Sequence, residues 1–181
     1  MNNTLPTTIE NITGEKLTFL RIIMKDGVEY LETVSEVQPN AGPPMHIHCR
    51  QDESLTVLSG KIGYQDSKGN KKYGGPGETV LFKAGVPHKF WNAGNETLHL
   101  SGYVSPANNM IYFLSQVYRS MNENGGRPGM YDTAYLLRRY KSEFRMVEIP
   151  AFVQKVMFPV VLFLGNVRGK KKKFAGAPAP L

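Results

Sequence analysis

Four side chains able to bind a first-row transition metal stand in two short stretches of this sequence. In G-P-P-M-H-I-H-C-R-Q-D-E-S-L-T-V-L-S-G, residues 42–60, His46 and His48 are two positions apart and Glu53 follows five residues on. In extended chain, residues at i and i+2 project to one side, so both imidazoles share a face. The second stretch, G-E-T-V-L-F-K-A-G-V-P-H-K-F-W-N, residues 77–92, brings His88 after a Gly-x-Pro turn, with Phe90 and Asn92 on its own face of the strand. Inside a barrel, three imidazoles and one carboxylate would converge on a single divalent ion. Such donors suit Fe, Mn, Ni, Co, Cu or Zn rather than Ca or Mg, which prefer all-oxygen shells. Four protein ligands on an octahedral ion leave two positions open for a small molecule, and Glu53 is the candidate for a second, catalytic role as base.

The elements that must position these residues read as β-structure from Lys16 to about Pro106. Candidate strands are 16–22, 28–37, 53–65, 78–84, 88–93 and 97–104, each an apolar or β-branched run. Their separators, Asp26-Gly27, Asn40 to Pro44, Ser67 to Asn70, Gly74 to Gly77 and Gly94-Asn95, are turn or loop formers. Short strands at this spacing predict a sandwich or barrel.

After Pro106 the period changes. Met110, Phe113, Leu114, Val117 and Met121 recur at three- and four-residue steps, and Gly125-Gly126 supplies a stop. A second helix is predicted over 131–143, and a third from Pro150 toward Gly165. No internal repeat suggests a double barrel. The division expected is an N-terminal arm over 1–15, a β-barrel over 16–106, and a helical C-terminal extension with a basic flexible tail over 107–181.

Lys and Arg number 22 against 15 Asp and Glu, a formal charge of +7. Four of the lysines are consecutive, Lys170 to Lys173, so much of the excess lies in a tail whose composition predicts solvation. No nucleic-acid module accompanies the barrel, and no nucleic-acid partner is expected. The apolar stretch 151–167 is interrupted by Gln154, Lys155 and Pro159, and is short for a transmembrane helix. Packing on the barrel or across a homodimer is the favoured expectation, with a membrane-surface helix ending in the lysines as the minority one. The single cysteine, Cys49, excludes an intrachain disulfide, and the N-terminus lacks the pattern of a secretory signal, so a cytoplasmic location is expected.

The two stretches resemble the signature motifs of the cupin superfamily. The first motif is matched at His46, His48, Glu53 and Gly60, with Gly42 closer to His46 than the pattern has it. The second is matched at Gly77, Gly85, His88 and Asn92, with Lys83 where proline is usual. The resemblance implies a mainly β protein, a small antiparallel barrel or jelly roll, with His46, His48, Glu53 and His88 as metal ligands. The wording of the first stretch most resembles single-barrel, quercetinase-like cupins. That implies a dioxygenase-type oxidoreductase acting on a small organic molecule. A non-catalytic metal-dependent binding or sensing module, and a metal-dependent isomerase or lyase, are the alternatives.

The remaining polar candidates are expected to be bystanders. Cys49 alternates away from the ligand face, His99 reads as an ordinary strand residue, and Arg50 and Gln51 read as solvated loop residues. Phe90 and Trp91 are expected in the core, with Met45, Ile47 and Phe90 as candidate walls of a pocket.

Overall fold

The computed structural model describes residues 4–181 and places ten strands before the first helix. Residues 1–3 of the expected arm lie outside the described residues. Thr7–Asn11 (β1), Glu15–Lys25 (β2) and Val28–Val37 (β3) form an antiparallel meander. The Asp26-Gly27 turn between β2 and β3 has positive φ at both central residues, 52° and 76°, the geometry that matches the twist of a two-residue hairpin. His46–His48 (β4), Asp52–Ser59 (β5), Ile62–Asp66 (β6), Lys71–Gly74 (β7), Thr79–Phe82 (β8), His88–Asn92 (β9) and Leu98–Ser105 (β10) follow. The run expected as one strand over 53–65 is thus two, broken at Gly60, and the halves join different sheets.

One sheet has the order β1-β2-β3-β10-β5-β8; the other contains β4-β9-β6-β7, and every pairing is antiparallel. The protein is mainly β, and the two sheets face each other as a jelly roll. Val37, Leu55, Val57, Ile62, Val80, Phe82, Phe90, Leu98 and Leu100 fill the space between them. Alternation explains the choice: Leu98 and Leu100 are buried on β10 while His99 between them is exposed.

The C-terminal segment contains Met110–Glu123 (α1) and Met130–Arg139 (α2), then helical chain leading into Phe158–Val167 (α3), with a π-helical turn at Val153–Met157. The helix expected over 131–143 stops at Arg139, and Phe144–Met146 is a strand, β11, which completes the second sheet as β11-β4-β9-β6-β7. A second core forms where Phe19, Leu31 and Val104 of the barrel meet Met110, Phe113, Leu136, Tyr140 and Phe144. α3 packs against α2, and its Val161 and Leu162 reach the second core. Phe158 is buried, and Gly165 lies so close to the Tyr131 ring that no side chain fits between them. The lysine run is a short 3-10 turn, Lys170–Phe174, anchored by the buried Phe174 ring, which stacks on Tyr135 at 4.2 Å. No helix among the described residues is long and apolar enough to cross a membrane.

Candidate metal centre

Three strands bring the four donors together. His46 and His48 lie on β4, His46 is the direct cross-strand partner of His88 on β9, and Glu53 reaches across from β5 in the opposite sheet. The two stretches are also tied by backbone: the Gly85 amide in the turn before β9 donates to the His48 carbonyl at 2.7 Å. The ligand atoms offered by His46, His48, Glu53 and His88 all lie within 4.8 Å of one another.

The ring orientations are fixed from behind. His46 Nδ1 lies 2.8 Å from the Pro44 carbonyl, and His88 Nδ1 lies 2.8 Å from the Val86 carbonyl. A carbonyl only accepts, so in the neutral rings both Nδ1 atoms carry the proton and both Nε2 atoms present lone pairs. Those lone pairs point inward: His46 Nε2 is 2.9 Å from His48 Nε2, and Glu53 Oε2 is 3.1 Å from His88 Nε2 and 3.8 Å from His48 Nε2. Ligands at about 2.1 Å from one ion stand about 3 Å apart at right angles around it, so the spacing fits a shared divalent cation. The Phe82 ring stacks on His88 at 4.1 Å with 5° between planes, and Phe144 of β11 meets His48 edge-on at 5.8 Å.

Electrostatics point the same way. Burial, then the neighbouring His48 and His88, push His46 down to about 3 against the opposing pull of Glu53. Burial likewise lowers His48, with Glu53 opposing. Burial alone would raise the Glu53 carboxyl, but close contact with His88 and the neighbouring His48 and His46 rings outweigh it and hold Glu53 at about 2. His46, His48 and Glu53 are thereby favoured in their unprotonated forms, the state in which a metal can be bound.

Gln51 departs from its expected place as a solvated loop residue. It is fully buried, its amide makes no hydrogen bond among the described residues, and His48 Nδ1 is likewise unpaired. An amide rotation that turned Oε1 to His48 Nδ1 would give this ring the acceptor that Pro44 and Val86 give the other two. A polar residue one step from a carboxylate, with no apolar period of its own, gives no burial signal in sequence.

Most of the other candidates take their expected places. His99 is exposed on β10, Arg50 is exposed, and burial raises the Cys49 thiol, as suits an inert one. Phe90 joins the barrel core, but Trp91, expected there too, alternates to the outer face of β9 and meets Tyr73 edge-on. Asn92, on the His88 face, is structural: its Nδ2 donates to the Val37 and Glu96 carbonyls at 2.8 and 2.7 Å. A cavity of about 610 Å³ opens between α2 and α3, and none of the four donors lines it.

A family model described as "Cupin domain" matches residues 33–104, which span β3 to β10 and all four donors. The barrel over these residues is a cupin domain. A comparison with curated proteins finds no sequence match. Among solved structures, the chain is similar to an uncharacterized conserved protein with a double-stranded beta-helix domain from Klebsiella pneumoniae. That likeness is at 19% identity, covering 60% of this chain and 77% of the other, with a TM-score of 0.41. KdgF from Halomonas sp. is 15% identical over 58% of this chain and 92% of its own, with a TM-score of 0.49. The polyketide cyclase RemF from Streptomyces resistomycificus is 24% identical over 58% and 79%, with a TM-score of 0.44.

Proposed function

We propose that this protein is a metal-dependent cupin in which His46, His48, Glu53 and His88 hold one divalent transition metal ion, and that it acts on a small organic molecule in an oxygen-dependent, dioxygenase-type reaction. The observation that carries the metal reading is the pair of backbone carbonyls, Pro44 and Val86, that fix two Nε2 lone pairs against a carboxylate. Without a cation, that arrangement sets lone pairs and a negative charge against one another in a half-dry site. A bound ion would supply Lewis acidity for a substrate oxygen and, as iron or copper, one-electron chemistry toward dioxygen. The oxygen-dependent form rests on the resemblance of residues 42–60 to quercetinase-like cupins.

Glu53 is the donor proposed for proton transfer, and its low pKa favours holding a cation over taking up a proton. The cytoplasm is the proposed compartment, on the single cysteine, and a homodimer the proposed assembly. A second reading, metal-dependent binding or sensing without turnover, draws support from β11, which joins the ligand strand β4 to the C-terminal helices and gives occupancy a route outward. The test begins with metal analysis of protein purified without added metal. Iron or copper supports oxygen chemistry, whereas zinc or no metal favours the binding or isomerase readings. His46→Ala and His88→Ala are expected to lose most of the metal and keep a folded barrel; full occupancy in either refutes the ligand assignment. Ferrous protein loaded anaerobically, mixed with enediols, flavonols or diketones and then given oxygen, is expected to consume it. No uptake with any compound favours the sensing reading.

A further inference from the structure

The chain between Pro150 and Phe174 carries more exposed apolar side chain than a packed helix needs. Phe152, Val156, Val160, Phe163 and Val167 recur at three- and four-residue steps and form one outward stripe. Phe152, Phe163 and Val167 are 65%, 68% and 73% exposed. The inner face is already taken: Phe158 is buried, Val161 and Leu162 pack into the second core, and Gly165 meets Tyr131. The outward stripe is therefore not the docking face of α3. It is a second apolar face, left over after docking.

Charge says what covers it. From Pro150 to Leu181 the sequence has no acidic residue, while Arg168 and Lys170 to Lys173 stand directly at the end of the stripe. Lys173 is spent inside the protein, bonded to Glu123 and Asp132, and Lys170 lies over the Tyr131 ring. Arg168, Lys171 and Lys172 are exposed, with no ion pair among the described residues. A second copy of this chain seated on the stripe would bring basic clusters into one interface with no acid to answer them. An anionic lipid surface answers both features, taking the phenylalanines and valines into its acyl boundary and the basic residues among its headgroups.

We infer that the outward face of residues 152–167, with Arg168, Lys171 and Lys172, is a peripheral binding surface for anionic membranes. The opposite helix face holds the protein, so the barrel rides on the bilayer without crossing it. Docking on α2 keeps the helix formed before contact, which spares the surface the ordering entropy that a disordered basic tail would cost.

The test is flotation of the full-length protein with vesicles of phosphatidylcholine alone, and with vesicles carrying phosphatidylserine as about one lipid in four. Binding is expected to the anionic vesicles at low salt and to fall as salt rises. Each basic residue near such a surface is worth roughly fivefold in partitioning, so Lys171→Gln with Lys172→Gln is expected to lower it about 25-fold. Phe163→Ser is expected to lower it about tenfold, as removal of one buried aromatic side chain should. These positions are exposed, so unchanged circular dichroism and thermal midpoint keep the comparison valid. Phe163→Trp adds a reporter whose emission is expected to shift to the blue on anionic vesicles only. Absence of binding to anionic vesicles at low salt overturns the proposal. So does equal binding to neutral vesicles, or a self-associated wild type that Phe163→Ser dissociates while no vesicle binds.

Discussion

Gly165→Ala gives the docking of α3 a test in which two effects of known size have opposite signs. Gly165 lies inside α3, and replacing an interior helix glycine by alanine ordinarily stabilises by about 1 kcal/mol. Here the new methyl carbon would stand 3.1 Å from Cγ of Tyr131 and closer still to its Cδ2 and Cε2. Carbon atoms rest at about 3.5–4.0 Å, so either the ring or the helix must retreat. The ring is held: its hydroxyl donates to Asn166 Oδ1 on the same helix at 2.7 Å, and it sits against Tyr135 and Phe174. Overpacking of this kind costs about 1–3 kcal/mol, so loosening of α3 outweighs the helix-propensity gain. The barrel has its own core between the sheets, and the loss falls on the extension. Hydrogen exchange read by mass spectrometry is the assay: amides over 158–167 are expected to exchange roughly tenfold faster, with those of β5 and β10 unchanged. In a Tyr131→Ala background the same substitution is expected to become neutral or stabilising. Slower exchange in the single variant would show that the ring and Gly165 are not in contact, and would refute the packing.

Three further outcomes are expected. Gln51→Leu removes the acceptor available to His48 Nδ1 and should weaken metal affinity about 10- to 100-fold in a folded protein; metal titration with a competing chelator reads it, and unchanged affinity would leave Gln51 a mere filler. His46 is lowered from 6.5 to about 3 and Glu53 from 4.5 to about 2 in the folded state. The unfolded chain therefore binds more protons between those values, and stability of the metal-free protein falls as pH drops from about 6.5 toward 3; the thermal midpoint should show this, and His46→Asn should flatten the upper part of the fall. Glu15 goes the other way: burial raises its carboxyl above 4.5, against the Asn11 hydrogen bond at 2.8 Å. Its ionisation costs stability as pH rises, so Glu15→Gln should raise the midpoint at pH near 7 and lose that gain by about pH 4. A gain independent of pH would sink the burial argument.

The convergence of His46, His48, Glu53 and His88 was legible because its pattern is local. His46-x-His48 needs only extended chain to share a face, and the His88 turn announces itself through Gly85 and Pro87. The barrel strands follow from alternation, as in Leu98-His99-Leu100. The strand Phe144–Met146 was not legible: three residues with a central arginine, at the end of a helical period, carry no strand signal of their own. They become a strand because β4 offers an open edge, pairing Phe144 with His48 and Met146 with His46. Likewise Thr7–Asn11, within the expected arm, is held by pairing with β2 and by Asn122 on α1, whose side-chain amide donates to the Glu10 carbonyl at 2.9 Å. The burial of Gln51 and the two faces of α3 depend on partners far away in sequence, and no window of the chain contains them.

The pairing of β11 with β4 also sets an order of events at the ribosome. All four donors have emerged once His88 is made, yet the outer edge of the strand that carries two of them stays open until Phe144–Met146 arrives, about a hundred residues after β4 itself. The Cys49 amide waits equally long for the Glu143 carbonyl, which it finally meets at 2.7 Å. For that interval the nascent barrel exposes an unpaired edge beside its most polar interior, the kind of edge that recruits foreign strands. Chains released early, before residue 146, should therefore be the ones that associate wrongly, even though they contain His46, His48, Glu53 and His88.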